Sequence, residues 1–154
     1  LFGEEDGFQV GKARRISDGS DVAIVAAGLL VPEAIEAEAM LRGEGIHASV
    51  LDMHTVKPAD THTIAEIARE TGAIVTVEDH NILGGLGSTV AEIVSRHAPV
   101  PVMMIGIRDR FGESGDRSEL MEIQGLSARH IVAAAKRAIE RKKKQQRSKD
   151  RDPN

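Results

Sequence analysis

The chain has 154 residues, of which 41% are hydrophobic and 29% charged, and its formal net charge is −4. This composition is typical of one globular domain with its own core, and it excludes a disordered polymer. The absence of cysteine excludes disulfide frameworks, thiolate zinc sites and cysteine nucleophiles, and it favours a reducing compartment, the cytoplasm.

The composition also disfavours two classes of partner. With three phenylalanines and neither tyrosine nor tryptophan, the chain offers little on which bases could stack, so no nucleic-acid partner is expected. The longest apolar stretch, residues 22–31, has about half the length that a membrane helix needs, so no membrane partner is expected. Because the sequence starts at Leu1 rather than at methionine, we expect it to be a piece of a longer protein.

The first elements in chain order are an edge strand, a buried strand and a helix. Residues 12–16 combine charged and apolar side chains and lead through a polar turn into residues 22–27, an apolar run with β-branched side chains. A hairpin between them would add one antiparallel edge strand. Apolar residues at helical spacing then run from Leu30 to Leu41, with Gly43 as a stop.

The rest of the chain continues this alternation. The predicted elements are a strand at 46–51, a helix between Asp60 and Gly72, a strand at 74–77, a helix around 86–97, a strand at 101–107, a short helix near 117–123 and a longer helix that starts at Ser127. Such alternation predicts right-handed crossovers and a three-layer α/β fold. Its five-stranded mixed sheet would have four parallel strands and one antiparallel edge strand, flanked by helices.

The domain is expected to span residues 1–143. Residues 136–154 contain nine Lys or Arg against three acids. The polar composition of residues 144–154 predicts a basic, disordered tail.

Ligands of open parallel sheets favour the crevice at the carboxyl ends of the strands, so the loops there carry the candidate sites. The most conspicuous is residues 78–88, named the 78–88 loop below, where acids, a histidine and glycines precede a helix. Its candidate residues, with two arginines that follow the last strand, are Glu78, His80, Gly84, Gly85, Gly87, Ser88, Arg108 and Arg110. Two roles remain open for them: close packing against another surface, which glycines permit, and binding of an anion at helix N–H groups.

Other chemistry finds less support in the sequence. The 78–88 loop lacks the Lys-Ser/Thr of a P-loop, and no Gly-x-Gly-x-x-Gly follows a strand. Glu78 and His80 could share a face of an extended segment while Asp79 could not, and no third ligand is evident, so no metal site is predicted. Asp52 and His54 are interpreted as local hydrogen-bonding residues. No residue is predicted to be catalytic.

Several segments resemble the C-terminal domain of transketolases in order and spacing. They are SDVAIVAAG at 20–28, LDMHTVKP at 51–58, VEDHNILGGLGS at 77–88 and GIRDRFGESG at 106–115. The resemblance covers roughly residues 9–143 and is closest to transketolases split into two chains. The related domains of 1-deoxyxylulose-5-phosphate synthase and of 2-oxo-acid dehydrogenase β subunits share this plan and remain alternatives, as does an autonomous anion-binding α/β module. The FGESG segment favours transketolase.

The resemblance implies a three-domain enzyme that uses thiamine diphosphate and a divalent metal to transfer two-carbon ketol units between sugar phosphates. This chain matches only the third domain, and the family's Gly-Asp-Gly motif is absent. We therefore expect it to bind no cofactor and no metal, to be inactive alone, and to serve assembly and support. The expected partners are the diphosphate-binding and pyrimidine-binding domains, or an N-terminal subunit, in a homodimeric enzyme.

Overall fold

The computed structural model describes residues 7–108 and 117–151, without the side chains of residues 117–119 and 151. The strands are β1 (Arg14–Ser17), β2 (Val22–Ala26), β3 (Ala48–Asp52), β4 (Ile74–Asn81) and β5 (Val102–Ile107). The helices are α1 (Val31–Gly43), α2 (Thr61–Thr71), α3 (Leu86–His97), α4 (Arg117–Ile123) and α5 (Ala128–Arg151), and a 3₁₀ turn at Gly28–Leu30 precedes α1. The predicted alternation of strands and helices is confirmed.

The strands form one sheet in the order β1-β3-β2-β4-β5. β1 runs antiparallel to β3, and all other neighbouring pairs are parallel, which confirms the predicted mixed sheet. The predicted hairpin is wrong, because β1 pairs with β3 and not with β2. Both edges of β2 are taken by β3 and β4, so β1 cannot pair with β2 and instead occupies the outer edge of β3.

The sheet buries both of its faces. In β2, Val22, Ile24 and Ala26 pack into a core with α1 and α5, whereas Ala23 and Val25 pack into a second core with α2 and α3. All five residues have 0% exposure. The uninterrupted apolar run in the sequence is therefore the signature of a strand covered on both faces.

Helix ends follow the local signals in the sequence. At the start of α2, the Asp60 Oδ1 accepts a hydrogen bond from the Thr63 N–H at 3.2 Å. The same helix ends at Gly72, whose φ of 65° is favoured only for glycine. At α5, the Ala128 N–H donates to the Glu33 Oε2 at 2.8 Å, so a residue of α1 caps a helix that begins 95 positions later.

Two elements are longer than predicted. β4 continues to Asn81, so Glu78 and His80 belong to the strand rather than to the loop after it. α5 continues to Arg151, so residues 144–151 are helical where a disordered tail was predicted. Lysine, arginine and glutamine are good helix formers, and the packed first half of α5 supplies the nucleus that they extend. In the described part of the chain, no helix has the length and apolar character needed to cross a membrane.

Candidate functional site

The carboxyl ends of the parallel strands β2, β3, β4 and β5 all lie at the same end of the sheet. The chain leaves β2 towards β3 through α1 on one face, and it crosses back to β4 through α2 on the other face. The loops after β2 and β4 therefore diverge at this end, which is the position where open α/β sheets form a ligand crevice. The 78–88 loop and the Gly28–Leu30 turn lie here.

Glu78 is the structural centre of the 78–88 loop. It is 4% exposed, and its carboxylate accepts hydrogen bonds from the backbone N–H groups of Leu86 at 2.7 Å and Gly87 at 2.9 Å. These are the first two residues of α3, where N–H groups lack partners within the helix. A negative charge is favourable at this end of the helix dipole. Glu78 therefore caps α3 from the neighbouring strand.

The three glycines of the 78–88 loop are required by different constraints, which are backbone conformation at one position and lack of space for a Cβ at the other two. Gly84 adopts a φ of 79°, which disfavours any side chain. Gly85 has an ordinary φ of −91°, but a Cβ there would collide with the Glu78 carboxylate. A Cβ on Gly87 would lie 2.9 Å from Met104 Sδ and 2.9 Å from Thr76 Oγ1. Two of the three glycines thus permit close packing within the domain itself.

The rim of the loop is closed by its own side chains. Ser88 Oγ accepts the Gly84 N–H at 2.9 Å and lies 3.2 Å from the Ile82 carbonyl oxygen. Asn81 Oδ1 accepts the Leu83 N–H at 2.9 Å, while the Leu83 side chain is 70% exposed. His80 is exposed, with its Nδ1 at 3.3 Å from the Asn81 carbonyl oxygen.

An anion would find the start of α3 already occupied. The N–H groups of Leu86 and Gly87 bond Glu78, and that of Thr89 bonds the Gly85 carbonyl oxygen at 3.1 Å. An anion placed there would also face the buried carboxylate as a like charge. This geometry disfavours an anion at the start of α3, and the close packing that it shows at Gly85 and Gly87 is within the domain.

Of the two predicted arginines, the structure describes only Arg108, which lies apart from the 78–88 loop. Arg108 follows β5 and lines a groove of about 370 Å³ together with His130 and Arg137. None of the residues 78–88 lines that groove. Arg110 and the FGESG segment lie outside the described residues.

A cleft of about 560 Å³ lies at the ends of β2 and β3. The loops that line it were expected at this end of the sheet, but none of their residues was predicted to bind a ligand. Its lining includes Phe8, Leu29, Pro32, Asp52, Met53, His54 and Val56. The rings of Phe8 and His54 meet edge to face with centroids 4.8 Å apart. These residues come from three separate segments of the chain, so no local sequence signal unites them.

Asp52 departs from the interpretation made from sequence. Its side chain is 3% exposed, and it makes no hydrogen bond within the described residues, whereas His54 Nδ1 lies 3.0 Å from Thr55 Oγ1. Burial raises the pKa of the Asp52 carboxyl above its ordinary value, although the charges of His54 and Arg14 oppose the shift. Local hydrogen bonding thus describes His54 and not Asp52.

The described residues do not fit a thiamine diphosphate or metal site. Residues 7–108 and 117–151 hold no group of three His, Asp or Glu side chains able to ligate a cation. The glycine-rich helix start that could receive a diphosphate is capped by Glu78.

The fold is a doubly wound α/β domain, with a glycine-rich loop whose following helix is capped by Glu78. Comparison with known proteins identifies its family. Residues 11–131 match the family model described as the transketolase C-terminal domain. The chain therefore belongs to the transketolase family, and it corresponds to the C-terminal domain of that family.

Individual relatives agree with this assignment. A 6-deoxy-6-sulfo-D-fructose transketolase subunit of Clostridium sp. (strain MSTE9) is 47% identical over 139 residues, which are 90% of this chain and 43% of that protein. A 1-deoxy-D-xylulose-5-phosphate synthase of Heliobacterium modesticaldum is 41% identical over 128 residues, 82% of this chain and 20% of the synthase. This chain therefore spans less than half of the length of these relatives.

A solved structure shares the fold. It is described as a split-gene transketolase in an inactive β4 tetramer, and it superimposes with a TM-score of 0.89 at 45% identity. The match covers 92% of this chain and 46% of that one. The resemblance read from the motifs, and the fold that it implied, are confirmed.

Proposed function

We propose that this chain serves assembly and support in a transketolase that transfers two-carbon ketol units between sugar phosphates. Thiamine diphosphate and a divalent metal are held by other parts of that enzyme, which are the diphosphate-binding and pyrimidine-binding domains or an N-terminal subunit. The complete enzyme is a homodimer of the cytoplasm, and this chain alone is inactive.

One observation carries the assembly role. The 78–88 loop bonds its own N–H groups internally and yet presents Leu83 with 70% of its surface exposed. A loop that exposes an apolar side chain, and whose N–H groups at Leu83, Gly84, Leu86 and Gly87 are already bonded, suits a protein contact better than a polar ligand. We therefore propose that Glu78, His80, Gly84, Gly85, Gly87 and Ser88 form or support an association surface.

The test replaces Leu83 with aspartate in the complete enzyme. A charge at the centre of an apolar contact is left without a partner, so we expect assembly to weaken at least tenfold in sedimentation experiments. Ile123→Asp is the matched control, since Ile123 is another aliphatic residue that is 64% exposed, on α4. Assembly that survives Leu83→Asp but not Ile123→Asp would contradict this surface.

Gly85→Trp is a less specific probe of the same surface. Because even a Cβ at Gly85 would collide with Glu78, a large residue would damage the α3 cap within the monomer. Loss of assembly by this variant supports the association surface only if urea unfolding shows that the stability of the monomer is unchanged.

The inactivity of the chain alone is tested by calorimetric titration with thiamine diphosphate and magnesium. We expect no saturable heat, because the described residues offer no matching site. Saturable binding at micromolar cofactor would contradict the proposal.

A second candidate function is that of the third domain of a 1-deoxyxylulose-5-phosphate synthase, which the 41% identity to such a synthase supports. A 2-oxo-acid dehydrogenase β subunit shares the same domain plan. Two assays of the complete enzyme distinguish a transketolase from a 1-deoxyxylulose-5-phosphate synthase. One supplies a ketose donor and an aldose acceptor, and the other supplies pyruvate and glyceraldehyde 3-phosphate.

A further inference from the structure

The cleft at the ends of β2 and β3 combines an apolar rim with one buried acid. Phe8, Leu29 and Val56 on its rim are 51%, 57% and 36% exposed. Pro32 and Met53 add further apolar lining. Large apolar side chains exposed together around a concave surface are typical of a binding site.

Asp52 lies at the bottom of this arrangement. Its side chain shares the α1 face of the sheet with Val50, which is two residues earlier on β3 and belongs to the core formed with α1. At 3% exposure it is almost fully withdrawn from water, and no donor in the described structure reaches its carboxylate. Thr76 Oγ1 is the only side-chain polar atom of the described residues that is fully buried without a hydrogen-bond partner, so the Asp52 oxygens keep some contact with the cleft. A carboxylate with little water around it and no donor from its own chain is suited to receive one from a ligand.

The charged neighbours of Asp52 do not bond to its carboxylate. Arg14 stands opposite Asp52 in the β1–β3 register, and His54 is two residues away along the chain. Both act on the carboxylate only through their charge, and neither forms an ion pair or a hydrogen bond with it. Their attraction is smaller than the cost of burial, as the raised pKa of Asp52 shows.

We propose that this cleft receives an arginine side chain from a partner polypeptide, and that Asp52 binds its guanidinium group. The partner is the remainder of the transketolase, so the inference rests on the proposed assembly role. Arginine fits because its planar fork pairs with a carboxylate through two hydrogen bonds and tolerates loss of water better than lysine. Its flat face also suits the Phe8 and His54 rings of the wall.

The choice of a polypeptide over a small cation follows from the rim. A small amine would cover Asp52 and leave Phe8, Leu29 and Val56 in water, whereas a protein surface would cover them as well. Buried arginine anchors within an apolar surround are the usual pattern of strong protein contacts.

The first test titrates the ¹⁵N-labelled 154-residue chain with N-acetyl-arginine N-methylamide, followed by NMR. We expect saturable shifts at Ala27, Gly28 and Met53 with a dissociation constant of roughly 1 mM, as for a small ligand. N-acetyl-citrulline N-methylamide keeps the shape without the charge and should bind at least tenfold more weakly. Asp52→Asn should weaken arginine binding at least tenfold, and this variant should fold because it removes only a buried charge.

Three outcomes would overturn the inference. Equal binding of the arginine and citrulline probes would show that no charge is recognised. Equal binding by the parent chain and Asp52→Asn would place the site elsewhere. Binding of n-butylamine as tight as that of the arginine probe would assign the cleft to small amines instead.

The second test introduces Asp52→Asn into the complete enzyme. We expect association to weaken at least tenfold while unfolding of the free chain is unchanged or occurs at higher urea. Unchanged association would overturn the proposed docking. Because the probe titration involves no assembly, arginine binding to the cleft can stand even if Leu83→Asp shows that the assembly surface is wrong.

Discussion

The two oxygens of Glu78 each accept one N–H group at the start of α3, at 2.7 and 2.9 Å. A carboxylate can do this with both of its oxygens, whereas a carboxamide has one oxygen and one NH₂ group. The position thus demands an acid for a structural reason. An acid beside a histidine in a sequence is not by itself a sign of catalysis.

Glu78→Gln is expected to destabilise the domain by about 1–3 kcal/mol, because one buried N–H loses its acceptor and faces another donor. Urea unfolding at pH 7 measures this loss. Glu92→Gln, on the helix α3 that Glu78 caps, is the matched control, since its ion pair with Arg96 is exposed on both sides and should matter by less than about 0.5 kcal/mol. Similar losses in the two variants would refute the capping role of Glu78.

Asp60 ties the segment before β1 to the start of α2. Its carboxylate accepts the Ala13 N–H at 3.1 Å, the Thr63 N–H at 3.2 Å and the Thr63 hydroxyl at 2.9 Å. Burial raises the pKa of Asp60, but the bonds from Ala13 and Thr63 and the charge of Lys12 outweigh it, so the pKa lies below the ordinary value of 3.8. The ionised form therefore stabilises the fold.

Asp60→Ala should cost about 1–2 kcal/mol at pH 7, as expected for loss of a helix cap. Because the folded pKa is depressed, this contribution is fully present above the unfolded pKa of about 4 and is lost as the pH falls through the folded pKa. Urea unfolding between pH 7 and pH 2 should show the two proteins converging only at the acid end. A constant difference over that range would mean that ionisation of Asp60 contributes nothing.

At the scale of elements, the packing of α3 against β4 and β5 depends on one missing side chain. A Cβ on Gly87 would lie 2.9 Å from both Met104 and Thr76. The Thr76 Oγ1 is itself buried and without a hydrogen-bond partner in the described structure. A helix start held this tightly leaves no room for repacking.

Gly87→Ala should therefore destabilise the domain by about 1–3 kcal/mol, as overpacking does. The control is Gly43→Ala at the last residue of α1, where a Cβ meets nothing within 4 Å. There the removal of a glycine from a helix should leave stability unchanged or raise it by up to about 1 kcal/mol. Urea unfolding measures both, and a neutral Gly87→Ala would contradict the packing described.

At the scale of the whole molecule, α5 extends beyond the domain it covers. Most of its apolar residues up to Ala138 lie in the core, and Lys142 Nζ donates to the Thr71 carbonyl oxygen at 2.7 Å. From residue 143 to residue 150, every side chain is exposed. The helix therefore contributes to folding only as far as Lys142.

Removing residues 144–154 should leave the free energy of unfolding within about 0.5 kcal/mol of the full chain, because the side chains described there, those of residues 144–150, are all exposed. Lys142→Ala in the full chain should cost about 1 kcal/mol, because it removes a charged donor and leaves the Thr71 carbonyl without it. Urea unfolding compares the two, and circular dichroism should show the loss of the last helical turns. A large loss on truncation would move the domain boundary beyond residue 143.

Much of the fold and part of the site follow from local signals. The apolar run at 22–27 predicted a strand covered on both faces, and Gly72 predicted the end of α2. The mixed charged and apolar residues at 12–16 predicted an antiparallel strand at the edge of the sheet. The 78–88 loop was correctly placed at the carboxyl edge of the sheet. These features depend on side-chain period, capping and backbone freedom, all of which are encoded within a few neighbouring residues.

What only the tertiary structure decided are the relations between distant segments. β1 could not join β2 because β3 and β4 occupy both edges of β2, so the hairpin suggested by neighbouring residues did not form. The role of Glu78 depends on where α3 begins against β4, and the cleft around Asp52 depends on Phe8 and the Gly28–Leu30 turn meeting the end of β3. Burial and hydrogen-bond partners are properties of the packed chain. They determine that the Glu78 carboxylate caps a helix, whereas the Asp52 carboxylate lies in a cleft without a donor from the described residues.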